Sequence, residues 1–288
     1  ENPACSVESV PVSVNDRTRF IYEAACCGLR DFFVKNGYKK ACVGVSGGID
    51  SAVVACLAVA ALGAENVRGL MMPSQFSSEG SVEDAKQLAE NLGIEFHVVP
   101  ITEAYRSIVD TLIPVIGGTD FDATEENIQS RIRTLMLMAL QNKNGYVLLN
   151  CSNKSENALG ICTLYGDTGG AFSVTGDLYK TEMYDLARYI NRKFGAPIPE
   201  NILTKEPSSE LRPNQKDSDM LPSYEVVDAI LYRLIEDGQS REEIINAGFD
   251  SDEVQKIYAM VMRNEKKRFQ YPPVLRLSSS SFGHEYRM

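Results

Sequence analysis

The 288-residue chain is 44% hydrophobic and 24% charged, with a formal net charge of -10. That composition is ordinary for a globular protein of one large or two small domains, and the acidic balance excludes a chain-wide electrostatic grip on nucleic acid or an anionic membrane. No apolar run reaches the roughly 20 residues of a membrane span and no basic-then-apolar leader marks the chain for secretion, so a cytoplasmic setting is expected.

Residues 1–15 mix small, polar and proline residues and read as a lead-in, and Glu1 in place of Met points to a longer parent chain. From Asp16 the spacing of Phe20, Ile21, Ala24, Ala25, Leu29, Phe32 and Phe33 predicts a helix stopped at Gly37. Ala41–Val45 is short, small and β-branched, and reads as a strand. Ala52–Leu62 has helical length and stops at Gly63; Val67–Met72 is a second strand ending at Pro73. Ser81 and Asp84 resemble a capping box for a helix carrying Val82, Ala85, Leu88, Ala89 and Leu92. Phe96–Ile101 is a third strand. Thr124 is expected to cap a long helix through Asn142, with Glu125 and Glu126 in its first turn, and Tyr146–Asn150 is a fourth strand.

Beyond about residue 180 strand signals stop. Thr181–Phe194, Tyr224–Glu236, Ser240–Ala247 and Asp250–Lys267 read as helices, and Ala196–Pro222, with five prolines, reads as a long functional or mobile loop. Strand–helix alternation with short connections predicts an α/β protein: a doubly wound parallel sheet covered by helices on both faces, with a C-terminal helical segment. The expected division is a lead-in at 1–16, one domain at 17–270 and a tail at 271–288. Ser278–Ser281 is the one low-complexity tract. The seven cysteines, at 5, 26, 27, 42, 56, 151 and 162, lack paired C-x-x-C spacing and read as buried thiols in a reducing compartment. His97 and His284 read as packing or surface residues.

Ser46-Gly47-Gly48-Ile49-Asp50-Ser51 lies between the first strand and its helix. Two glycines permit a tight turn and close backbone approach to a ligand. The following helix offers free N–H groups and a positive dipole end, which suit an anion, and Ser46 and Ser51 can add hydroxyl donors. Asp50 would repel bare phosphate, so its presence points to a bridging Mg²⁺. No Lys follows the glycines, which excludes the P-loop, and the Gly-x-Gly-x-x-Gly dinucleotide pattern is absent.

This hexapeptide resembles the signature of the ATP pyrophosphatase superfamily, whose members cleave ATP to AMP and pyrophosphate. Further segments resemble the NAD synthetases of that group: Met72-Pro73-Ser74, Ser77 to Gly80, Glu126 to Arg133, Ser152 to Glu156, Thr163 to Asp167, Lys180-Thr181, Lys205 to Leu211 and Lys267-Arg268. Together they cover nearly the whole chain from about residue 17. Tyr165 to Ala171, Gln270 to Pro273 and Phe282-Gly283 resemble the glutamine-dependent form, in which an amidase domain precedes the synthetase and supplies ammonia. Residues before 17 are too few for an amidase, so the chain is expected to be the synthetase portion, able to use free ammonia. The ammonia-only form often has Asp where Ala171 stands, so that contact is not carried over.

The resemblance implies a Rossmann-like, adenine nucleotide alpha hydrolase-like fold and an ATP-dependent amidation of deamido-NAD through an acyl adenylate. It implies ATP contacts from Ser46, Gly47, Gly48, Asp50, Ser51, Met72, Arg131, Lys180 and Ser208. Asn127, Arg131, Asp167 and Lys267 would meet deamido-NAD, Asp50 and Glu156 would hold Mg²⁺, and Asp50, Lys180 and Asp167 would serve the chemistry, with Arg268 a further cation. A homodimer with the deamido-NAD pocket at the subunit interface is also implied. Asn127 and Arg131, four apart, share a helix face off the apolar row of Ile128, Ile132 and Leu135. Two other readings fit the loop. Another ammonia-using enzyme such as GMP synthetase is disfavoured by the segments from Asn127 to Asp167, and a nucleotide-binding domain without turnover by Asp50, Glu156 and Lys180 together.

Overall fold

A computed structural model describes residues 14–118 and 120–282. Cys5, His284, Gly283 and most of the lead-in lie outside the described residues. In chain order the elements are α1 (Val14–Asn36), β1 (Lys40–Gly44), α2 (Ile49–Leu62), β2 (Val67–Met71), α3 (Glu79–Leu92), β3 (Glu95–Val98), α4 (Thr102–Ile116), α5 (Ala123–Asn144), β4 (Tyr146–Asn150), α6 (Lys154–Leu159), β5 (Phe172–Ser173) and α7 (Lys180–Phe194). Then come α8 (Glu200–Thr204), α9 (Tyr224–Ile235), α10 (Arg241–Asn246), α11 (Ser251–Arg263) and α12 (Glu265–Arg268).

The sheet is parallel, in the order β3-β2-β1-β4-β5. Successive strand residues face opposite sides, and both sides are apolar. Ala41 and Val43 of β1 and Val147 and Leu149 of β4 join a core with α1, α2, α3 and α7, built on Leu29, Phe33, Leu57, Leu88 and Leu186. Cys42, Leu70 and Leu148 point the other way, into a second core with Ile101, Ile132 and Leu137 of the α4–α5 side. Residues from Ile49 to Ala58 of α2 are buried on almost every side, so this helix is fixed by packing all round. A third core, with Leu159, Val227, Leu231, Leu234 and Ile257, ties α6 to the C-terminal helices.

Several boundaries differ from expectation. The helix α2 starts at Ile49 rather than near Ala52, which brings Asp50 and Ser51 into its first turn. Ser78, not Ser81, caps α3 by accepting from Ser81 N; Ser81 and Asp84 are buried inside the helix. Asp122, not Thr124, caps α5, with Glu125 completing the capping box. Leu135 is 66% exposed and leaves the apolar row assigned to it. The helix α4 had no counterpart in the sequence reading, and Pro114 lies inside it. The 196–222 segment contains α8 and a 3₁₀ turn at Asp217–Asp219. Cys27 is exposed, unlike the other described thiols, and His97 lies on the surface against Glu95.

The stretch after 270 is laid along the body. Ser173 N donates to Pro273 O and Leu275 N to Ser173 O, both 2.9 Å. Gly28, a mid-helix glycine that costs about 1 kcal/mol against Ala, makes room for this segment: a Cβ there would lie 2.5 Å from Leu275 Cδ1.

Candidate active site

The strand order reverses at β1 and β4, the place where open α/β sheets bind ligands beyond their carboxyl ends. A cavity of about 280 Å³ opens there, bordered by Gly44–Ser46, Leu70–Met72 and Leu148–Ser152. The Ser46–Ser51 turn forms one wall. Gly47 has φ 80°, and a Cβ there would lie 2.3 Å from Ser81 O, so a side chain does not fit. Ser46 Oγ accepts from Gly48 N at 3.2 Å; Ser51 Oγ accepts from Ser46 N at 3.2 Å and donates to Gly48 O at 3.0 Å. The two hydroxyls expected to reach a ligand therefore brace the turn from within. The first-turn amides of α2 lack carbonyls one turn back and leave an anion-attracting end at the cavity.

Three helix starts bring charge to this wall. Asp50 comes from α2, Glu156 from the first turn of α6 and Lys180 from the start of α7. Lys180 Nζ lies 2.6 Å from Asp50 Oδ2 and 3.3 Å from Glu156 Oε1. Burial pulls the Lys180 pKa down, but the charges of Asp50 and Glu156 outweigh it and hold it well above the ordinary lysine value. Burial pushes the Glu156 carboxyl up to about 8, opposed by Lys180 and reinforced by Asp50. Asn153 caps α6 through Glu156 N and donates to Asp50 Oδ1 at 3.0 Å. Asp228 of α9 accepts from Thr181 N at 2.8 Å and Ser155 Oγ at 2.5 Å, while Ser155 Oγ accepts Lys180 N at 2.9 Å. The start of α7, and with it Lys180, is thus capped by residues from two other helices. Among the described residues no group of three or more His, Cys, Asp or Glu is placed to hold a metal. A cation at Asp50 and Glu156 would take its remaining ligands from phosphate oxygens and water, as Mg²⁺ does.

Met72 and Asp167 border the same cavity. Asp167 Oδ1 accepts from Thr163 N at 2.6 Å, and surrounding protein pushes its carboxyl up to about 6 although it opens into the cavity. Arg133, which the sequence reading did not single out, also lines it; its Nε donates to Met72 O at 2.9 Å.

The 205–217 segment roofs the cavity with Ser208–Leu211. Ser208 Oγ donates to Gln215 O at 2.6 Å, closing the loop on itself. Glu210 fastens the roof to the start of α3: it accepts from Ser78 N at 3.2 Å, Ser78 Oγ at 2.8 Å and Ser81 Oγ at 2.7 Å. Lys205 adds a bond to Asp84 Oδ2 at 2.9 Å.

Four basic or polar residues read as ligand contacts sit elsewhere. Asn127 Oδ1 accepts from Thr163 Oγ1 at 2.7 Å, and Arg131 Nε donates to Leu164 O at 3.1 Å. Lys267 Nζ donates to Gly160 O and Cys162 O at 2.7 and 2.8 Å. Arg268 Nη1 donates to Ala158 O and Val261 O. None of the four borders the cavity. They hold the 158–164 segment that leads to Asp167.

A family model described as NAD synthase matches residues 21–271. The chain belongs to the NAD synthase family. It is 52% identical over 268 residues to a glutamine-dependent NAD(+) synthetase of Aquifex aeolicus, an alignment that covers 93% of this chain and 47% of that one. The structure of a glutamine-dependent NAD+ synthetase from Acinetobacter baumannii, solved with ADP, superposes with a TM-score of 0.65 at 41% identity and covers 98% of this chain and 50% of that one. An NH3-dependent NAD synthetase from Campylobacter jejuni superposes with a TM-score of 0.69 at 30% identity, covering 87% of this chain and 95% of that one. The chain therefore spans about half the length of the curated NAD synthase relatives it matches, but nearly all of the ammonia-dependent one. Among the described residues no helix is long and apolar enough to cross a membrane.

Proposed function

We propose that this chain is the amide-forming, ATP-consuming unit of an NAD synthetase, converting deamido-NAD to NAD with ammonia. The observation that carries the reading is the meeting of Lys180 with Asp50 and Glu156 beside the Ser46–Ser51 turn, the two carboxylates bordering the cavity. A carboxylate oxygen of deamido-NAD attacks the α-phosphorus of ATP, and the bond to the pyrophosphate breaks. Ammonia then attacks the acyl carbon, the bond to AMP breaks, and a proton is given up. The attacking carboxylate is ionised at neutral pH, so the first step needs no enzyme base. The obstacle is bringing one anion to another, and preorganised positive charge lowers it.

In this reading the start of α2 receives the phosphates and Met72 lies against the adenine. Asp50 and Glu156 would hold Mg²⁺, which when bound would neutralise charge on the triphosphate, and Lys180 turns from the carboxylates to the phosphate oxygens. Asp167 meets the nicotinate end or ammonium. Asn127, Arg131 and Lys267 serve deamido-NAD by holding the segment that presents Asp167. Exposed Val115 and Leu135 on α4 and α5 support a homodimer, and the half-length match to the glutamine-dependent relatives supports a preceding amidase domain in the parent protein. Free thiols at Cys26, Cys42 and Cys56 support a reducing, cytoplasmic setting.

The test is AMP release by the purified chain with Mg²⁺, ATP and ammonium, supplied with deamido-NAD or with xanthosine monophosphate. AMP and NAD formed with deamido-NAD alone are expected. Turnover with xanthosine monophosphate would move the chain to the GMP synthetase reaction, and binding without AMP in either case would leave a nucleotide-binding domain.

A further inference from the structure

We propose that Lys154 and the serine run at Ser278–Ser281 form a buried clasp that positions the turn carrying Asn153 and Glu156, so that the C-terminal segment acts as a working part of the active site; the proposal rests on the reading of that site given above. Lys154 is fully buried at the first position of α6. Its ammonium lies 2.9 Å from Asp177 Oδ1, bonds Glu236, and donates to Ser278 Oγ at 2.7 Å and Ser280 O at 3.0 Å. The rings of Tyr179 and Phe282 close over it at 5.1 and 5.7 Å.

One cation against two carboxylates leaves a buried excess of negative charge. The C-terminal segment supplies the missing donors. Asp177 Oδ2 accepts from Leu277 N and Ser278 N, both at 2.7 Å, and Oδ1 from Ser278 Oγ at 2.9 Å. Glu236 Oε2 accepts from Ser280 N at 3.0 Å and from Ser279 Oγ. Without that segment two buried carboxylates would lose most of their partners, a strongly unfavourable state. The serine run thus has a physical reason: short hydroxyls that can both accept from Lys154 and donate to carboxylates.

The other side of the same turn faces the cavity. Lys154 N is pinned to Leu178 O at 2.7 Å. Its neighbour Asn153 holds Asp50 at 3.0 Å, and Ser155 holds Lys180 N at 2.9 Å. Glu156 meets Lys180 Nζ at 3.3 Å. Four consecutive residues therefore join the clasp to all three charged groups of the site. A shift of Lys154 displaces Asp50 and Glu156 directly, and misplacement of about 1 Å is costly to a reacting geometry. Lys154 is a positioning residue in this scheme.

The decisive variants are Ser278→Ala, which removes the bridging hydroxyl, and Ser278→Thr, which keeps it. Both are measured in the full chain for kcat and for the KM of ATP per folded molecule, for thermal unfolding, and for amide exchange at residues 153–157. Ser278→Ala is expected to lower kcat about tenfold and to speed exchange at 153–157, and Ser278→Thr to restore both. Wild-type kcat and exchange in Ser278→Ala, with only the unfolding temperature lowered, would overturn the proposal and leave the clasp as a fastening for the tail. Lys154→Met is the harsher variant; should it fail to fold, the serine pair still decides. If wild type itself gives no turnover, the functional reading fails separately, and unchanged ATP affinity and exchange in Ser278→Ala would still overturn the clasp.

Discussion

Two clusters of one lysine and two carboxylates lie on either side of a single turn, and they differ in exposure. Around Lys180, Asp50 and Glu156 keep 18% and 23% of their side-chain surface, and both open toward the cavity. Around Lys154, Asp177 and Glu236 keep 0% and 3%, and backbone N–H groups fill their remaining oxygens. Glu156 has a way to relieve its charge, since burial already lifts its carboxyl to about 8. Burial would raise Glu236 too, but Lys154 and the bonds from Ser279 and Ser280 outweigh it and hold the carboxyl below the ordinary range. Equal composition therefore gives unlike behaviour. Under the proposed function the open cluster would exchange its cation for a metal and a phosphate chain, whereas the sealed one keeps its lysine in place and so positions the turn.

The largest expected effects fall on the two lysines: on activity alone at Lys180, and on stability as well as activity at Lys154. Lys180→Met should cost roughly a thousandfold in AMP formation, as loss of preorganised charge does, with little change in unfolding temperature because Glu156 can take a proton. A comparable loss of stability would erase the distinction between the clusters. Lys154→Met should cost about 3–5 kcal/mol in denaturant unfolding, because it leaves two sealed carboxylates without a cation; a loss below 1 kcal/mol would show that the cluster is wet.

Asp228 sharpens the comparison through pH. Burial pushes its carboxyl up to about 6 despite the bonds from Ser155 and Thr181. The folded state therefore favours the protonated form, so its stabilising contribution is complete below the ordinary carboxylate pKa and is lost as pH rises through about 6. Relative to Asp228→Asn, wild type should lose on the order of 2 kcal/mol between pH 4 and 7. A flat difference would mean that solvent reaches the cap on α7.

Smaller effects are expected at the roof and at the segment leading to Asp167. Glu210→Ala should raise the KM for ATP roughly tenfold, the equivalent of about 1.5 kcal/mol of lost closure, and expose 205–217 to protease. Unchanged values in both measurements would remove the roof from the account. Arg131→Ala should raise the KM for deamido-NAD about threefold and leave that for ATP unchanged; an equal rise for ATP would put Arg131 on the triphosphate after all.

The Ser46–Ser51 turn between β1 and α2 was legible in the sequence because its signal is local. Two glycines, a short strand and a helix start lie within a dozen residues, and the positive φ of Gly47 belongs to the turn itself, although the carbonyl that forbids a side chain there comes from Ser81 of α3. Four of the five strands were legible for a similar reason, as short runs between glycine or proline stops, although the third was expected at Phe96–Ile101 and lies at Glu95–Val98. The two-residue β5 at Phe172–Ser173 is too short to leave such a run and was not expected. Contacts between distant segments were not. The bond from Asn153 to Asp50 spans 103 residues and that from Lys180 to Asp50 spans 130, so the residue types were available to reading but their meeting was not. Asn127 and Arg131 do share a face, as spacing required, but that face meets Thr163 and Leu164 rather than the cavity. The helix α4 escaped because Ile108, Val109, Thr111, Ile113 and Pro114 are poor helix formers, and packing of Tyr105 against the second core overrides that preference. The serine run carried no periodic signal, and its meaning depends wholly on a buried lysine more than a hundred residues earlier.

The central claim is that the turn after β1 grips the phosphates while Lys180 gives up its carboxylates to a metal. A crystal structure of the chain with Mg²⁺ and a non-hydrolysable ATP analogue tests it most directly. The phosphates should lie on the Ser46–Ser51 turn, with the metal touching Asp50 and Glu156 and Lys180 Nζ turned to phosphate oxygen. A nucleotide bound away from the turn, or a metal-free site with Lys180 still lodged between the two carboxylates, would contradict it.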